Sequence, residues 1–138
     1  MKHWLLDTGP IVAFLDARDR EHERVAAALD AFAGRFITTS AVVVEAMHLL
    51  GGVRSGPALL VDFLLASQSE IHECTSVADL TAAAELMARY GDTPMDFADA
   101  TLVLLAKQLK INSVCTLDRR GFRTYRIGRR AFQLVLDD

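Results

Sequence analysis

Apolar residues fall along this chain in two alternating patterns, short apolar runs and longer stretches with helical spacing. Short runs bounded by turn residues or charges are typical of buried strands. They cover residues 3–6, 36–39, 70–75 and 112–117, and a final run at 132–136 is compatible with a last strand. The first and fourth runs end at aspartates, Asp7 and Asp118. The pattern therefore predicts four to five strands, two of which end in an acid.

The longer stretches predict helices between these strands. Val25, Leu29 and Phe32 stand at helical spacing among charged residues, which is the pattern of an amphipathic helix over residues 21–32. Ser40 precedes a strongly apolar stretch and is expected to cap its helix. Further helices are predicted over residues 11–15, 41–50, 57–66, 77–90 and 96–109.

Strands and helices alternate along the whole chain, and this order favours an α/β domain. Parallel strands that are connected through helices form a sheet covered on both faces. We therefore expect a three-layer α/β sandwich whose central, mainly parallel sheet has four to five strands. The chain has 138 residues, of which 51% are apolar, so a single domain over residues 1–138 is expected.

Composition and charge refine this picture. The net charge is -3, yet six arginines and no acid fall between residues 119 and 130, which makes the C-terminal segment basic. Cys74 and Cys115 fall in predicted strands, and two isolated cysteines indicate neither a disulfide framework nor a zinc site. No apolar run approaches the roughly 18 residues of a bilayer span, and no signal-type cleavage site follows the N-terminus. A soluble, cytoplasmic protein that does not enter a membrane is expected.

Four acids occupy positions that call for an explanation. Asp7 and Asp118 end predicted strands, and parallel sheets bind ligands at that edge. Glu45 interrupts the most apolar predicted helix, and Asp99 lies in the first turn of another, three residues after Asp96. Each acid alone has a structural explanation in a turn, a solvent-facing position or a helix cap, and an N-cap role explains Asp96 fully. Only the four acids taken together indicate a functional site.

Carboxylates gathered in one pocket repel one another and raise each other's pKa unless a divalent cation neutralises them. Mg²⁺ and Mn²⁺ prefer such hard oxygen ligands, and either ion can polarise a phosphodiester and activate a water. The four histidines show no ligand spacing, which argues against zinc. The acids therefore favour an Mg²⁺ or Mn²⁺ site.

Four segments together resemble the PIN-domain family, and most closely its VapC-like toxins from bacterial toxin–antitoxin pairs. They are Leu5–Thr8, Ser40–Glu45, Pro94–Ala100 and Thr116–Phe122, in matching order and spacing. The resemblance implies a metal-dependent endoribonuclease that hydrolyses RNA phosphodiester bonds. It also implies that the catalytic, metal-binding acids are Asp7, Glu45, Asp99 and Asp118.

The resemblance implies further residues and partners. Three further residues are candidates for orienting the four acids without binding the metal themselves: Thr116, Thr8 and Asp96. For Thr116 the β-propensity of threonine is an equally good explanation, and for Thr8 a helix cap is. A cognate antitoxin is implied, whose C-terminal segment would place an arginine in the acidic pocket. A homodimer is implied as well. The apolar helix over residues 57–66 suits a dimer interface or burial within one chain.

An acidic metal site needs positive charge nearby to hold an RNA backbone. The RNA-binding candidates closely follow Asp118 in the sequence and are Arg119, Arg120 and Arg123. Phe122 and Tyr125 lie among them, either to stack on unpaired bases or to anchor the core.

Other functions of the same sequence remain open. A housekeeping RNA-processing nuclease of this family would carry the same acids. A non-catalytic module that binds RNA or a protein partner would not need the acidic set to be intact. A phosphatase that forms an aspartyl phosphate would want an Asp-x-Asp pair, whereas Asp7 is followed by Thr8 and Gly9.

Overall fold

The protein, seen in a computed structural model, is described over residues 1–137. Strands and helices alternate in it as the sequence predicts. In chain order they are β1 (His3–Leu6), α1 (Thr8–Leu15), α2 (His22–Ala31), β2 (Arg35–Thr39), α3 (Ser40–Leu49), a 3₁₀ turn (Leu50–Gly52), α4 (Gly56–Ser67), β3 (Glu70–His72), α5 (Val77–Arg89), α6 (Phe97–Leu109), β4 (Ser113–Cys115), α7 (Arg119–Thr124), β5 (Arg126–Ile127), β6 (Arg130–Ala131) and β7 (Gln133–Leu134).

The central sheet has the order β3-β2-β1-β4-β7, and every pairing in it is parallel. The expected three-layer α/β fold is thereby confirmed, with five strands over residues 1–137. The chain runs outward from β1 to β3 and then returns to β4, on the other side of β1. The helix α1 contacts α2, α3 and α4, and α5 contacts α6, as expected when right-handed crossovers cover the two faces of the sheet. The reversal between β1 and β4 opens a crevice at the carboxyl ends of the strands.

The two central strands carry no polar–apolar alternation because helices cover both faces of the sheet. Leu5 and Leu6 of β1 are completely buried, and so are Val114 and Cys115 of β4. Each of these strands therefore holds the residue that follows it on a rigid, fully packed base.

Several local predictions are corrected by the structure. Thr39, rather than Ser40, caps α3, because its extended backbone lets Oγ1 accept from the Val42 N–H at 3.3 Å. Cys74 lies beyond the end of β3, although it is buried. The last strand is only Gln133–Leu134, since the segment before it forms the short helix α7 and an antiparallel hairpin of β5 and β6.

The helix α4 packs on the molecule along one side only. Leu60 is completely buried, whereas Leu59, Val61 and Leu65 are exposed, the last of them to 72%. Burial within one chain thus accounts for only part of this apolar helix. None of the helices in the described part of the chain has the length and apolar content that crossing a bilayer requires.

Candidate active site

Acids from four elements surround the crevice between β1 and β4. Asp7 directly follows β1, and Asp118 precedes α7 as its cap. Glu45 lies in the second turn of α3, and Asp99 in the first turn of α6. Residues that are up to 111 positions apart in sequence are thus carried to the same edge of one parallel sheet.

Asp7 is only 6% exposed. Its Oδ1 accepts from the Thr8 N–H at 2.8 Å and so caps α1, while its Oδ2 accepts from the Thr116 hydroxyl at 2.7 Å. The Asp7 N–H donates to the Cys115 carbonyl at 3.0 Å, which fixes the end of β1 against β4. Burial raises the pKa of Asp7 to about 6, against the opposing effect of the two hydrogen bonds. Its carboxylate is therefore rigidly held and lacks a counter-charge.

Thr116 connects the acids at the ends of the two central strands. Its Oγ1, besides donating to Asp7, accepts from the Asp118 N–H at 3.0 Å. Asp118 in turn accepts from the Gly121 N–H at 3.0 Å through Oδ1, which begins α7. One buried hydroxyl thus orients the side chain of one acid and the backbone of another, which β-propensity alone does not require.

Asp96 and Asp99 form a reciprocal capping box at the start of α6. The Asp99 N–H donates to Asp96 Oδ1 at 2.8 Å, and the Asp96 N–H donates to Asp99 Oδ2 at 3.2 Å. The predicted N-cap role of Asp96 is confirmed. Burial, followed by the charges of Asp7 and Asp96, raises the pKa of Asp99 to about 8. Asp99 is therefore close enough to Asp7 for their charges to interact, and it also serves its own helix.

Glu45 joins the same electrostatic cluster. Its pKa is raised by partial burial and by the charge of Asp96, and the Thr8 hydroxyl beside it opposes that shift. The Thr8 Oγ1 is nonetheless buried without a hydrogen bond of good geometry among the described residues. Because Asp7 is the cap of α1, the helix-cap explanation of Thr8 is wrong. The hydroxyl keeps bonding capacity for a group within the crevice.

Tyr125 lies under the cluster and was not predicted as part of it. Both Tyr125 and Phe122 are completely buried, so the core alternative holds and neither can stack on a base. The Tyr125 hydroxyl donates to the Pro94 carbonyl at 2.5 Å, which ties α7 to the turn before α6. Its pKa is raised by burial and then by four carboxylates, those of Asp99, Asp118, Asp96 and Asp7. All four carboxylates therefore lie near enough to the phenol to act on it electrostatically.

Gly121 lies within the segment Thr116–Phe122, and the sequence alone assigns it no role. A Cβ at this position would collide with Asp118 Oδ2 and would stand 2.9 Å from the Tyr125 hydroxyl. A glycine inside a short helix is unfavourable by itself, so its presence is the sequence signal of a close approach.

The donors at the crevice suit a hard divalent cation. They are carboxylates and hydroxyls, the ligand class that Mg²⁺ and Mn²⁺ prefer. The raised pKa values of Asp7, Asp99 and Glu45 mark a surplus of negative charge that a cation would neutralise. Within residues 1–137, however, no three acidic, histidine or cysteine side chains are assembled as a ready set of metal ligands. The residues fit such an ion by chemistry and position, and side-chain rotation is needed to close around it.

The three RNA-binding candidates lie beside the crevice on α7 and are exposed. Arg119 and Arg123 both pair with Asp137, with nitrogen–oxygen distances of 2.9 and 2.7 Å. Arg120 has no ion pair among the residues that the structure describes. Asp137 thus holds two of the three arginines, and Arg120 is available to an anion directly.

Comparisons with known proteins agree with this architecture. The family model described as PIN domain matches residues 4–127. The curated relative Ribonuclease VapC26 from Mycobacterium tuberculosis is 30% identical over 135 residues, which cover 95% of this chain and 98% of the relative.

Two solved structures share the fold. One is Mycobacterium tuberculosis VapC20, described as a toxin that cleaves the sarcin–ricin loop, with a TM-score of 0.75, 18% identity, and coverage of 86% of this chain and 91% of that one. The other is a chain of FitAB bound to the IR36 DNA fragment, with a TM-score of 0.67, 20% identity, and coverage of 99% and 96%.

Proposed function

This chain belongs to the PIN-domain family, and from that membership we propose that it is a metal-dependent endoribonuclease of the VapC type, acting as the toxin of a toxin–antitoxin pair. Its full-length similarity to a VapC ribonuclease supports the activity. The observation that carries the proposal is the convergence of Asp7, Asp96, Asp99 and Asp118 around one buried phenol at the switch point of a parallel sheet.

Asp7, Asp99 and Asp118 would hold one or two Mg²⁺ or Mn²⁺ ions, and Glu45 would bind an ion or orient the attacking water. A bound ion would supply Lewis acidity toward the phosphodiester and would lower the pKa of a water nucleophile. Asp7 is preorganised for this role because both of its oxygens accept fixed hydrogen bonds. The unpaired Thr8 hydroxyl is placed to contact a water near Glu45.

Thr116 and Asp96 act through the other acids. Thr116 sets the orientation of Asp7 and the start of the turn at Asp118. Asp96 fixes the first turn of α6 and so the position of Asp99. Both therefore support the acids from outside, as ligating carboxylates in metal sites usually require.

RNA is the substrate in this proposal, and Arg119, Arg120 and Arg123 bind its backbone beside the cleaved bond. Arg120 can do so directly, whereas Arg119 and Arg123 must share or leave Asp137. Both arginine side chains are more than half exposed and can turn toward a phosphate, whereas the Asp137 side chain is only 16% exposed, which favours sharing over leaving it without a partner.

A cognate antitoxin and a second copy of the chain are the proposed protein partners. The surplus of carboxylates in the crevice suits an arginine of an antitoxin. Val44 of α3 and Val61 and Leu65 of α4 are exposed apolar side chains that suit a homodimer. Sedimentation of the wild type and of Leu65→Glu tests the dimer, since a charge in the interface should yield monomers.

Cleavage of single-stranded RNA by purified protein tests the activity. Wild type should cut RNA with Mn²⁺ and stop in EDTA, and Asp7→Asn and Asp99→Asn should each lose at least about 100-fold in kcat/KM. Asp62→Asn is the matched control, because Asp62 is an exposed residue of α4. Absence of cleavage with either ion, or equal cleavage by the variants, would contradict the proposal and favour a non-catalytic module.

Toxicity separates the toxin from a housekeeping nuclease of the same family. Induced expression of the wild type should arrest growth, whereas Asp7→Asn should not. Co-expression of the protein encoded beside this gene should restore growth if that protein is the antitoxin. Cleavage without growth arrest would favour the housekeeping nuclease.

A further inference from the structure

A second concave surface carries positive charge that the proposed active site does not use. It is a cavity of about 210 Å³ between α5, α6 and β5. Its charged lining consists of Arg89, Lys107 and Arg126, with Glu85 as the one acid among the described lining residues. We call this surface the cationic groove. Its net charge suits an anion.

The cations of the groove are not neutralised by ion pairs. Neither Arg89 nor Lys107 has a carboxylate within 4.0 Å among residues 1–137. Arg126 is held in place by its NH1, which donates to the carbonyls of Arg123, Thr124 and Tyr125 at 2.7 to 3.3 Å. The groove thus combines one fixed guanidinium with two exposed cations that are free to move toward a ligand.

The helix α6 runs from the acidic crevice to the cationic groove. Asp99 lies in its first turn, and Val103 and Lys107 of the groove follow about one and two turns later. Eight residues correspond to about 12 Å along a helix axis. Val103, between Asp99 and Lys107, is only 3% exposed. A single strand that crosses the crevice would therefore reach the groove over the residues that cover the middle of α6.

We propose that the cationic groove binds backbone phosphates of the RNA a few nucleotides away from the cleaved bond. The inference rests on the proposed function, because that function supplies the strand. The charge of the groove and its position on the helix that carries Asp99 favour an RNA backbone, the substrate already proposed for the crevice, over an acidic protein segment. The groove thereby extends the substrate site beyond Arg119, Arg120 and Arg123 to a second group of cations.

A pair of double variants tests the groove. Arg89→Ala/Lys107→Ala removes two of its cations, and alanine favours the helices in which both residues lie. Arg54→Ala/Lys2→Ala removes the same two residue types from exposed positions outside the groove. Arg126 is left unchanged because it caps α7. The two proteins therefore carry the same net charge and differ in where the charge was removed.

Binding is measured in EDTA, where no cleavage occurs, with a fluorescent 12-nucleotide RNA over a range of salt concentrations. The groove variant should bind roughly tenfold more weakly than the control, and the slope of log K against log salt should fall in magnitude by about 1.4 for two lost phosphate contacts. In Mn²⁺ the loss in cleavage should appear in KM, with kcat retained. Equal binding by the two double variants would overturn the inference.

Oligonucleotide length locates the contact. One series of RNAs extends the cleaved dinucleotide in the 5′ direction and a second series extends it in the 3′ direction. In one of the two series the control protein should bind the longer RNAs more tightly. The groove variant should show no such gain in affinity. A gain that is the same in both proteins would overturn the inference. So would an acidic peptide that competes better than RNA for the groove. Failure of wild-type protein to bind or cut any RNA would instead reject the proposed function, so the two failures are distinguishable.

Discussion

Asp7 is buried as an acid without a positive partner, and this has a measurable cost. Its pKa is raised from 3.8 to about 6, so the folded state binds the proton more tightly than the unfolded chain does. The stabilisation is complete below the unfolded pKa and is lost as the pH rises through about 6. Asp7→Asn keeps an oxygen that can cap α1 and does not titrate.

We therefore expect metal-free Asp7→Asn to be more stable than the wild type at pH 7.5, by about 1–3 kcal/mol. The difference should shrink toward pH 4. Urea denaturation in EDTA at both pH values measures it, with Asp62→Asn as the control for loss of a surface charge. A wild type that is the more stable protein at pH 7.5 would contradict this account of Asp7.

Tyr125 positions two parts of the site relative to each other. Its hydroxyl donates to the carbonyl of Pro94, which shortly precedes Asp96 and Asp99 in the sequence. Its backbone directly follows the end of α7. Tyr125→Phe keeps the ring and removes this bond, whose net contribution to stability is about 1 kcal/mol. We expect a modest loss of stability and a severalfold rise in the Mn²⁺ concentration needed for half-maximal cleavage.

Calorimetric titration with Mn²⁺ alone checks the same effect without turnover. Tyr90→Phe is the matched control, because the Tyr90 hydroxyl accepts from the Arg126 N–H rather than from a group next to the acids. If Tyr125→Phe binds Mn²⁺ as Tyr90→Phe does, then Tyr125 has a structural role only.

Three of the four candidate acids were singled out from the sequence because each interrupts a local pattern, and Asp99 was singled out through the family resemblance. Asp7 and Asp118 end apolar runs, and Glu45 lies in an apolar helix. Tyr125 could not be found, since its burial and its bond to Pro94 depend on a contact between residues 31 positions apart. A pattern of neighbours along the chain carries no information about such a contact.

At the scale of elements, the long periodic segments and the first two strands were predicted closely, whereas the short elements after residue 118 were not. The helix α6 begins within one residue of its predicted start and ends at Leu109 as predicted. The helix α7 has six residues, too few for a helical period to be recognised. It forms because Asp118 caps it and its C-terminal carbonyls bind Arg126. Both causes are tertiary or capping effects rather than periodicity.

Gly121 provides the element-scale prediction. In an ordinary helix, glycine to alanine stabilises by about 0.5–1 kcal/mol. In α7 the new methyl group would collide with Asp118 Oδ2. We therefore expect Gly121→Ala to gain no stability and to lose cleavage activity at least about tenfold, because the Asp118 carboxylate must move.

Circular dichroism, thermal unfolding and cleavage assays of Gly121→Ala separate these effects. Gly91→Ala is the control, because the contact that its added methyl group would make, at 3.5 Å from a backbone carbonyl, is an ordinary one. A Gly121→Ala protein that cleaves RNA like the wild type would show that the close approach to Asp118 has no functional consequence.

For the whole molecule, the position of the site follows from the order of the strands. Hydrophobic patterning predicted a parallel sheet, and the carboxyl edge of such a sheet was enough to place Asp7 and Asp118 together. The order β3-β2-β1-β4-β7 could not be predicted, because no local pattern states which strands are neighbours. That order decides which acids meet, since it puts β4 beside β1 and brings the first turn of α6 to the same crevice.

Binding of a divalent ion should therefore stabilise the entire fold. An ion present at 100 times its Kd adds about 2.7 kcal/mol, which corresponds to a rise in Tm of about 5–15 °C for a domain of this size. The ion must displace the protons that Asp7 and Asp99 hold at low pH, since their pKa values are raised to about 6 and about 8. At a fixed Mn²⁺ concentration the rise in Tm should consequently be small at pH 5.5 and large at pH 8.

Differential scanning fluorimetry of the wild type, Asp99→Asn and Asp62→Asn measures this rise in Tm, and only Asp99→Asn should lose it. An equal rise in all three proteins, or one independent of pH, would place the ion away from the crevice.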